Sequence, residues 1–196
     1  MKKVVVAIVL VLAVVAALGG RWYLRLRAEA AKWAGPMQEI AEESVTREGV
    51  VTTMRFVSLI DAPVDKVEAA LWAVENSQNS VPNVKLSKLL ESKDTTKLLE
   101  MNIQALQLPP VAYTMEFTRH PGENRITFKT IKSGAQDIEG EYRLQPSPDG
   151  ARTRMTYTNV SRDKIGGPIS KEIIDAANRE TYVNTVRGLN KTLGKG

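Results

Sequence analysis

The carboxyl-terminal part of the chain places the strongest constraint on its fold. After residues 151–159, which have the character of a β-strand, a Gly-Gly-Pro sequence at 166–168 begins a helical pattern that continues to Gly194. From Val84 onward, most residues before this helix follow the alternation that antiparallel strands show. A helix and a sheet can bury their apolar faces only against another element, so the helix is expected to lie across the sheet. A curved sheet that grips one helix leaves room for a cavity, which favours the binding of apolar molecules.

Six strands are predicted before this helix, because short alternating runs are separated by turns rich in Gly, Pro, Asn and Asp. Several runs have one clearly apolar face, as expected for an antiparallel sheet with one face packed and the other in water. The predicted strands are Val84–Ser92, Lys97–Leu106, Val111–Arg119, Arg125–Lys132, Asp137–Gln145 and Ala151–Asn159.

The folded domain is predicted to span residues 50–196 and to begin with a strand at Val50–Ile60. Asp61-Ala62-Pro63 then changes the period of the apolar residues to that of a helix. Pro63 suits the first helical position, because its missing N–H is no loss there. The preceding residues, 28–49, are predicted to form a stalk that is helical in two pieces.

The net charge of +5 comes entirely from the amino-terminal segment. Residues 1–27 contain five basic residues and no acidic one, which leaves 22 basic and 22 acidic residues in the remainder. A body with no net charge gives no support for the basic patch that nucleic-acid binding requires, so no nucleic-acid partner is predicted. Cysteine is absent, which excludes disulfides, thiol nucleophiles and thiolate metal sites.

The first 27 residues have the features of a membrane anchor. Two lysines precede an apolar run from Val4 to Leu18. With Gly19 and Gly20 included, the run has about 17 residues, which is at the short limit for spanning ~30 Å of hydrocarbon. Trp22 and Tyr23 follow this run and are surrounded by arginines. Aromatic and basic residues commonly flank membrane helices in this way. Small residues in Ala17-Leu18-Gly19 leave a cleaved signal peptide as the alternative. We predict a single membrane-anchoring helix over residues 1–27, with the domain in the periplasm or otherwise outside the cytoplasm.

Several short motifs follow one another along the domain. Residues 60–67 (IDAPVDKV) begin the first helix, and residues 81–84 (VPNV) precede the second strand. Residues 140–153, with Gly-Glu-Tyr-Arg-Leu, Pro146, Asp149-Gly150 and Thr153, lead into the last strand, and a Gly-Pro pair heads the closing helix. In this order they resemble the START-like, helix-grip superfamily over Val50 to Leu193, closest to its polyketide cyclase and coenzyme Q-binding branch.

The resemblance implies an α+β fold in which a curved antiparallel sheet of about seven strands wraps around a long carboxyl-terminal helix. It also implies a ligand cavity between the sheet and the helix. Two departures leave the ligand class open. Trp72 lies one step off the apolar stripe of the first helix, and Val81-Pro82 has no Trp beside it, where many relatives carry one.

Apolar side chains on the inward faces are predicted to line this cavity, with a solid core of the same residues as the alternative. Arg55 is included because, if it points inward, its guanidinium could pair with an acidic head group. The predicted ligand-binding residues are Arg55, Met101, Ile103, Tyr113, Met115, Phe117, Phe128, Tyr142, Met155, Tyr157, Ile173, Ala176, Ala177 and Val183.

The sequence shows no catalytic motif. Its single histidine, His120, stands beside Pro121 at a strand end, which is typical of a solvated turn. Phosphate-binding glycine loops and metal-ligand spacings do not occur, so no catalytic residue, metal or cofactor is predicted. Four glutamates are predicted to face away from the core, at positions 100, 116, 139 and 141.

Three hypotheses about function follow. The first is binding or transfer of a hydrophobic small molecule, such as a lipid, a sterol-like compound or an isoprenoid quinone, by a membrane-tethered domain. The second is a polyketide cyclase or aromatase-like enzyme, in which cavity hydroxyls and Arg55 orient a reactive substrate. The third is a non-catalytic module that docks a protein partner on the outer face of the sheet. The volume between the closing helix and the sheet discriminates the first from the third.

Overall fold

The computed structural model describes residues 19–106, 108–164 and 171–194. The chain divides into two compact units, Met1–Pro36 and Met37–Gly196. In the first unit, residues 19–31 are helical and exposed. Within the described ranges, no helix has both the length and the apolar character needed to cross a bilayer. The apolar run from Val4 to Leu18 lies outside the described residues, so the membrane anchor stays a prediction.

The second unit is an α+β domain built on one antiparallel sheet of eight strands. The strands lie in the order β1-β2-β8-β7-β6-β5-β4-β3, so β1 and β3 form the edges. The strands are β1 (Gln38–Glu48), β2 (Val51–Ile60), β3 (Val84–Ser92), β4 (Thr96–Ile103), β5 (Val111–His120), β6 (Arg125–Ser133), β7 (Gln136–Pro146) and β8 (Thr153–Asp163). The helices are α1 (Val64–Trp72), a 3₁₀ helix (Val74–Asn79) and α2 (Lys171–Thr192).

Strand β1 corrects the prediction of a helical stalk. It pairs antiparallel with β2, with Val45 opposite Met54, and the sheet therefore starts at Gln38 and has eight strands rather than about seven. Its sequence is mostly polar because an edge strand buries little of its surface, and only Ile40 and Val45 pack against the core.

The glutamates of β1 are held by arginines that are distant in the sequence. Glu42 accepts hydrogen bonds from Arg55, at 2.9 Å, and from Arg154. These neighbours, with the Arg55 hydrogen bond as the main cause, lower the pKa of Glu42. The pair with Arg154 joins β1 to β8, which is far away in the sequence, so the charges of β1 read by themselves did not indicate a strand.

Buried side chains form two clusters on the concave face of the sheet. One lies under the second half of α2, where Phe56 and Met155 pack against Tyr182, Val186 and Leu189. The other covers β4 to β6, as the alternation in those strands predicts, and includes Leu99, Met101, Tyr113, Met115, Phe117, Ile126 and Phe128. Side chains therefore fill the space between the sheet and the second half of α2, and fill the space under its first half less completely.

Helix α1 and the 3₁₀ helix that follows it are tied to the ends of β4 and β5 by two ion pairs. Glu68, which is 8% exposed, accepts a hydrogen bond from Arg119 at 2.6 Å. Lys97 donates to the Trp72 carbonyl at 2.8 Å and to Glu75 at 2.7 Å, and its ammonium lies 4.8 Å from the centre of the Trp72 ring. Trp72 therefore covers a buried lysine, which accounts for its place beside the apolar stripe.

Replacing Gly140 by alanine is expected to destabilise the domain. A Cβ atom at Gly140 would overlap the Thr158 carbonyl oxygen and lie 2.6 Å from Cζ of Phe128. Relieving such overlap in a packed sheet costs about 1–3 kcal/mol or more. The free energy of unfolding in urea measures this loss. Gly134→Ala is the matched control, because no atom lies within 4 Å of a Cβ there; equal stability of the two variants would contradict the packing described.

Candidate functional site

A cavity of ≈ 440 Å³ lies between the concave face of the sheet and helix α2. This volume falls within the range of about 300–1,000 Å³ that small-molecule sites occupy. Its wall is formed by side chains from all eight strands, from the 3₁₀ helix, from the segment that joins β4 to β5, and from one face of α2. The space under α2 is therefore not filled by the protein's own core.

Nine of the residues predicted from the sequence lie in the cavity wall. Eight of them were found because inward and outward side chains alternate along β4, β5, β6, β7 and β8, and Ala177 lies on α2. These residues are Met101, Ile103, Tyr113, Met115, Phe117, Phe128, Tyr142, Tyr157 and Ala177.

Two predicted sheet residues lie elsewhere. Met155 is fully buried in the solid cluster beneath α2, beside Phe56 and Leu144, because that end of the sheet is in direct contact with the helix. Arg55 points to the opposite face of the sheet, where its guanidinium pairs with Glu42. It cannot meet a ligand in the cavity, so the prediction of an acidic head group bound by Arg55 is wrong.

The inward face of α2 is rotated from the predicted stripe. Ile173 and Ala176 are exposed, and Val183 is half-buried but is not part of the cavity wall. The helix instead presents Ile174, Ala177, Asn178, Thr181, Tyr182 and Thr185 to the cavity.

The threonines explain why the stripe was misplaced. The Thr181 hydroxyl donates to the Ala177 carbonyl and the Thr185 hydroxyl to the Thr181 carbonyl, each at 2.8 Å. A hydroxyl satisfied within its own helix leaves the side chain free to lie against an apolar wall. A search for apolar residues alone passes over such positions.

Aromatic rings line the middle of the cavity around Tyr157. Its ring centre lies 5.7 Å from that of Phe128, 5.2 Å from that of Tyr142 and 5.2 Å from that of Tyr182. Burial raises the pKa of Tyr157 to about 12. Burial likewise raises the pKa of Tyr113, of Tyr142 and of Tyr182. At neutral pH these phenols are therefore protonated and act as hydrogen-bonding groups rather than as bases.

Polar side chains gather at one end of the cavity. Arg47 and Asp163 form an ion pair at 2.8 Å, and both line the cavity. Gln136 donates to the Tyr113 hydroxyl at 2.8 Å, and Asn159 donates to the Tyr157 hydroxyl at 2.7 Å. Arg47, Gln136 and Asp163 were missed, because Arg47 was assigned to the stalk and the others lie just beyond the predicted strand ends. Extending the alternation of β8 past Asn159 would have found Asp163.

The other charged groups singled out in the sequence lie away from this cavity. His120 contacts Thr127 and Arg125 at the β5–β6 end, at 3.0 and 3.1 Å. Glu116, Glu139 and Glu141 line a shallow groove on the opposite face of the sheet. Among the described residues no group of His, Cys, Asp and Glu is arranged to hold a metal ion.

Solved structures with a similar fold include both cyclases and lipid-transfer proteins. The Zhui aromatase/cyclase from Streptomyces sp. R1128 is 15% identical, with 73% of this chain and 94% of that chain covered and a TM-score of 0.64. A STAR-related lipid transfer protein from Xanthomonas axonopodis is 20% identical over 78% and 98% of the two chains, with a TM-score of 0.55. A START superfamily protein from Mycobacterium smegmatis is 14% identical over 72% and 93%, with a TM-score of 0.56.

The search of curated proteins found no match. The family model described as "Polyketide cyclase / dehydrase and lipid transport" matches residues 51–194, which include β2 to β8 and α2. The likenesses to solved structures agree with the predicted START-like fold. The chain therefore belongs to the polyketide cyclase / dehydrase and lipid transport family.

Proposed function

We propose that this chain binds and carries a hydrophobic small molecule, such as a lipid, a sterol-like compound or an isoprenoid quinone. The observation that carries the proposal is the cavity of ≈ 440 Å³ under α2, whose wall is mostly apolar and aromatic. A solid core would be expected there if the fold served only as a scaffold for a protein partner. The membership of a family that includes lipid-transport proteins supports the same function.

The mechanism is the partition of an apolar ligand between water or membrane and the cavity. Each methylene group that leaves water contributes ~0.8 kcal/mol, so a chain of several methylenes suffices for stable binding. Met54, Met101 and Met115 line the wall, and their flexible thioether side chains can adapt to ligands of different shape. No covalent step is needed.

The amino-terminal segment is proposed to tether the domain to a membrane that supplies the ligand. Trp22 and Tyr23 are 65% and 59% exposed on a helix that also carries Arg21, Arg25 and Arg27. Such residues are typical of a membrane–water interface. With the apolar run before them, they support a retained anchor. The domain is proposed to lie outside the cytoplasm because a short amino-terminal tail usually stays in the cytoplasm.

Cyclase-type catalysis is a second candidate, favoured by the similarity to an aromatase/cyclase. The cavity offers phenols and the Arg47–Asp163 pair to orient a polyketide. A phenol able to remove a proton at neutral pH would need a lowered pKa, whereas burial raises the pKa of these tyrosines. The one carboxylate among the described lining residues, that of Asp163, is held in an ion pair with Arg47. Binding therefore accounts better for the geometry.

Filling the cavity is expected to weaken ligand uptake. Ala177→Trp places an indole in the space under α2, whereas Ala176→Trp places the same group on the exposed side of the helix. Native mass spectrometry after mild detergent extraction should show co-purified lipid on the wild type and on Ala176→Trp. Occupancy of Ala177→Trp should correspond to binding weaker by on the order of tenfold, or about 1.4 kcal/mol.

Thermal unfolding of both variants controls for loss of structure. Equal occupancy in the two variants would contradict the assignment of the site. A wild-type chain that stays free of ligand, even after lipid is added, would contradict the proposed function.

The cavity phenols are expected to stay protonated until the domain unfolds. The pKa of Tyr157 rises from 10.0 to about 12 on folding, so its contribution to stability is present below pH 10 and lost as the pH rises towards 12. A difference of this size is worth on the order of 3 kcal/mol. Phenolate absorbance and the free energy of unfolding should be followed together with rising pH, with Tyr157→Phe as the comparison. A cavity phenol that ionises near neutral pH would instead favour the cyclase.

Substitutions in the apolar run test the tether. Leu10→Arg with Val14→Arg should release the chain from membranes in alkaline carbonate, because each arginine at a helix centre costs about 2.5–3.5 kcal/mol. Leu24→Arg, beyond the run, is the control and should leave the chain in the membrane fraction. Wild-type chain found in the supernatant, or an intact mass that lacks the first residues, would contradict a retained anchor.

A further inference from the structure

We infer that the ligand of this cavity carries a carbonyl group, and that Tyr142 selects such ligands by donating a hydrogen bond from its phenol to the carbonyl oxygen. The inference rests on the proposed binding function and specifies its class of ligand, which is an apolar molecule with a ketone, quinone or ester group.

Tyr142 differs from the other phenols of the cavity wall in its hydrogen bonding. The hydroxyls of Tyr113, Tyr157 and Tyr182 each form a hydrogen bond with another side chain, at 2.8, 2.7 and 2.5 Å. The Tyr142 hydroxyl forms none with any residue that the structure describes. Its donor and its acceptor capacity are therefore both available to a ligand.

The Tyr142 hydroxyl can also be reached from the cavity. Some unpaired polar atoms of the wall, such as the amide oxygens of Gln136 and Asn159, have no accessible surface. The Tyr142 hydroxyl is not one of these sealed atoms, and its side chain is half-buried and lines the cavity. A ligand in the cavity can therefore contact this hydroxyl directly.

The surroundings of this hydroxyl are aromatic. The ring centre of Tyr142 lies 5.5 Å from that of Phe128 and 5.2 Å from that of Tyr157. Gln136, which lies opposite Asp163, is six positions away on β7, which corresponds to about 20 Å of strand. The Tyr142 hydroxyl is thus a single polar group set among rings, well away from the polar end of the cavity.

Such a group discriminates between ligands that can and cannot accept a hydrogen bond. A ligand that fills the cavity excludes water from the hydroxyl, and a buried donor without a partner costs about 1–3 kcal/mol. A carbonyl oxygen avoids this cost, whereas a hydrocarbon does not. A ligand hydroxyl could accept as well, but it would also need an acceptor for its own proton. The carbonyl is therefore the group that a lone phenol satisfies best.

Burial favours a neutral carbonyl over a carboxylate. It raises the pKa of Tyr142 well above its ordinary value, so the phenol keeps its proton and acts as a donor at neutral pH. The same burial opposes a charged ligand group at this place. Arg47, the one cation among the described lining residues, is already paired with Asp163, so a carboxylate would lie here without a counter-ion.

Competition between two probes of the same shape tests the inference. The full chain in mild detergent is offered equimolar tridecan-2-one and 2-methyltridec-1-ene, in which a methylidene group replaces the carbonyl oxygen. The protein is separated by gel filtration, and the bound probes are extracted and measured by gas chromatography. The bound ratio of ketone to alkene is expected to be about tenfold higher for the wild type than for Tyr142→Phe, which should still take up the alkene. Partition into detergent is the same for all variants and cancels in this comparison.

Tyr113→Phe is the matched control, because it removes the same hydroxyl from a wall residue that is 4% exposed and already bonded to Gln136. It should keep the wild-type ratio. Thermal unfolding without ligand separates selection from a structural role. Tyr142→Phe should be at least as stable as the wild type, because it loses no hydrogen bond within the described chain. Added ketone should then raise the unfolding temperature of the wild type more than that of Tyr142→Phe.

An equal ratio of ketone to alkene in the wild type and in Tyr142→Phe would overturn the inference and leave the proposed function standing. An equal fall of the ratio in Tyr113→Phe, or a ligand-free Tyr142→Phe that unfolds well below the wild type, would also overturn it. Failure of both probes to bind to the wild type would overturn the proposed function and the inference together.

Discussion

The architecture depends on how one buried tyrosine, Tyr182, holds helix α2 on the sheet. Its ring stacks on Phe56 with 4.7 Å between ring centres. Its hydroxyl donates to Ser58 at 2.5 Å, because the Ser58 hydroxyl is already donating to the Glu39 carbonyl of β1. One side chain of α2 is thereby connected to two strands, and Arg187 adds a second link to the Glu39 carboxylate at 2.6 Å. These contacts pack the second half of α2 tightly against the sheet.

The cavity is a consequence of this attachment of α2 to the sheet. A single helix cannot cover the whole concave face of an eight-stranded sheet, and α2 is fixed where Phe56 and Met155 lie. On its other side, Glu180 accepts a hydrogen bond from the Leu106 N–H at 2.7 Å. The helix is therefore tethered on two sides of a space that its own small and β-branched residues do not fill. A binding function is the natural use of a domain that maintains such a space, since an empty apolar cavity is destabilising.

Much of the fold could be predicted from the sequence, because strands β4 to β8 have one dry face and keep a period of two. Met101, Tyr113, Met115 and Phe117 were assigned to the correct side for that reason. Strand β1 could not be predicted, because its glutamates are balanced by Arg154, Arg179 and Arg187 from distant parts of the chain. The face of α2 was misplaced because threonines that satisfy their own hydroxyls line the cavity. Asp163 could have been found by extending the alternation of β8, but its pairing with Arg47 of β1 could not, because it depends on how the strands are ordered in the sheet.

A crystal structure of the full chain, purified without removal of lipid, tests most directly whether the space under α2 is a ligand cavity. The account predicts continuous electron density along the wall formed by Met101, Met115 and Tyr157. A space closed by rearranged Tyr157 and Tyr182 rings, or one that holds only ordered water, would contradict it.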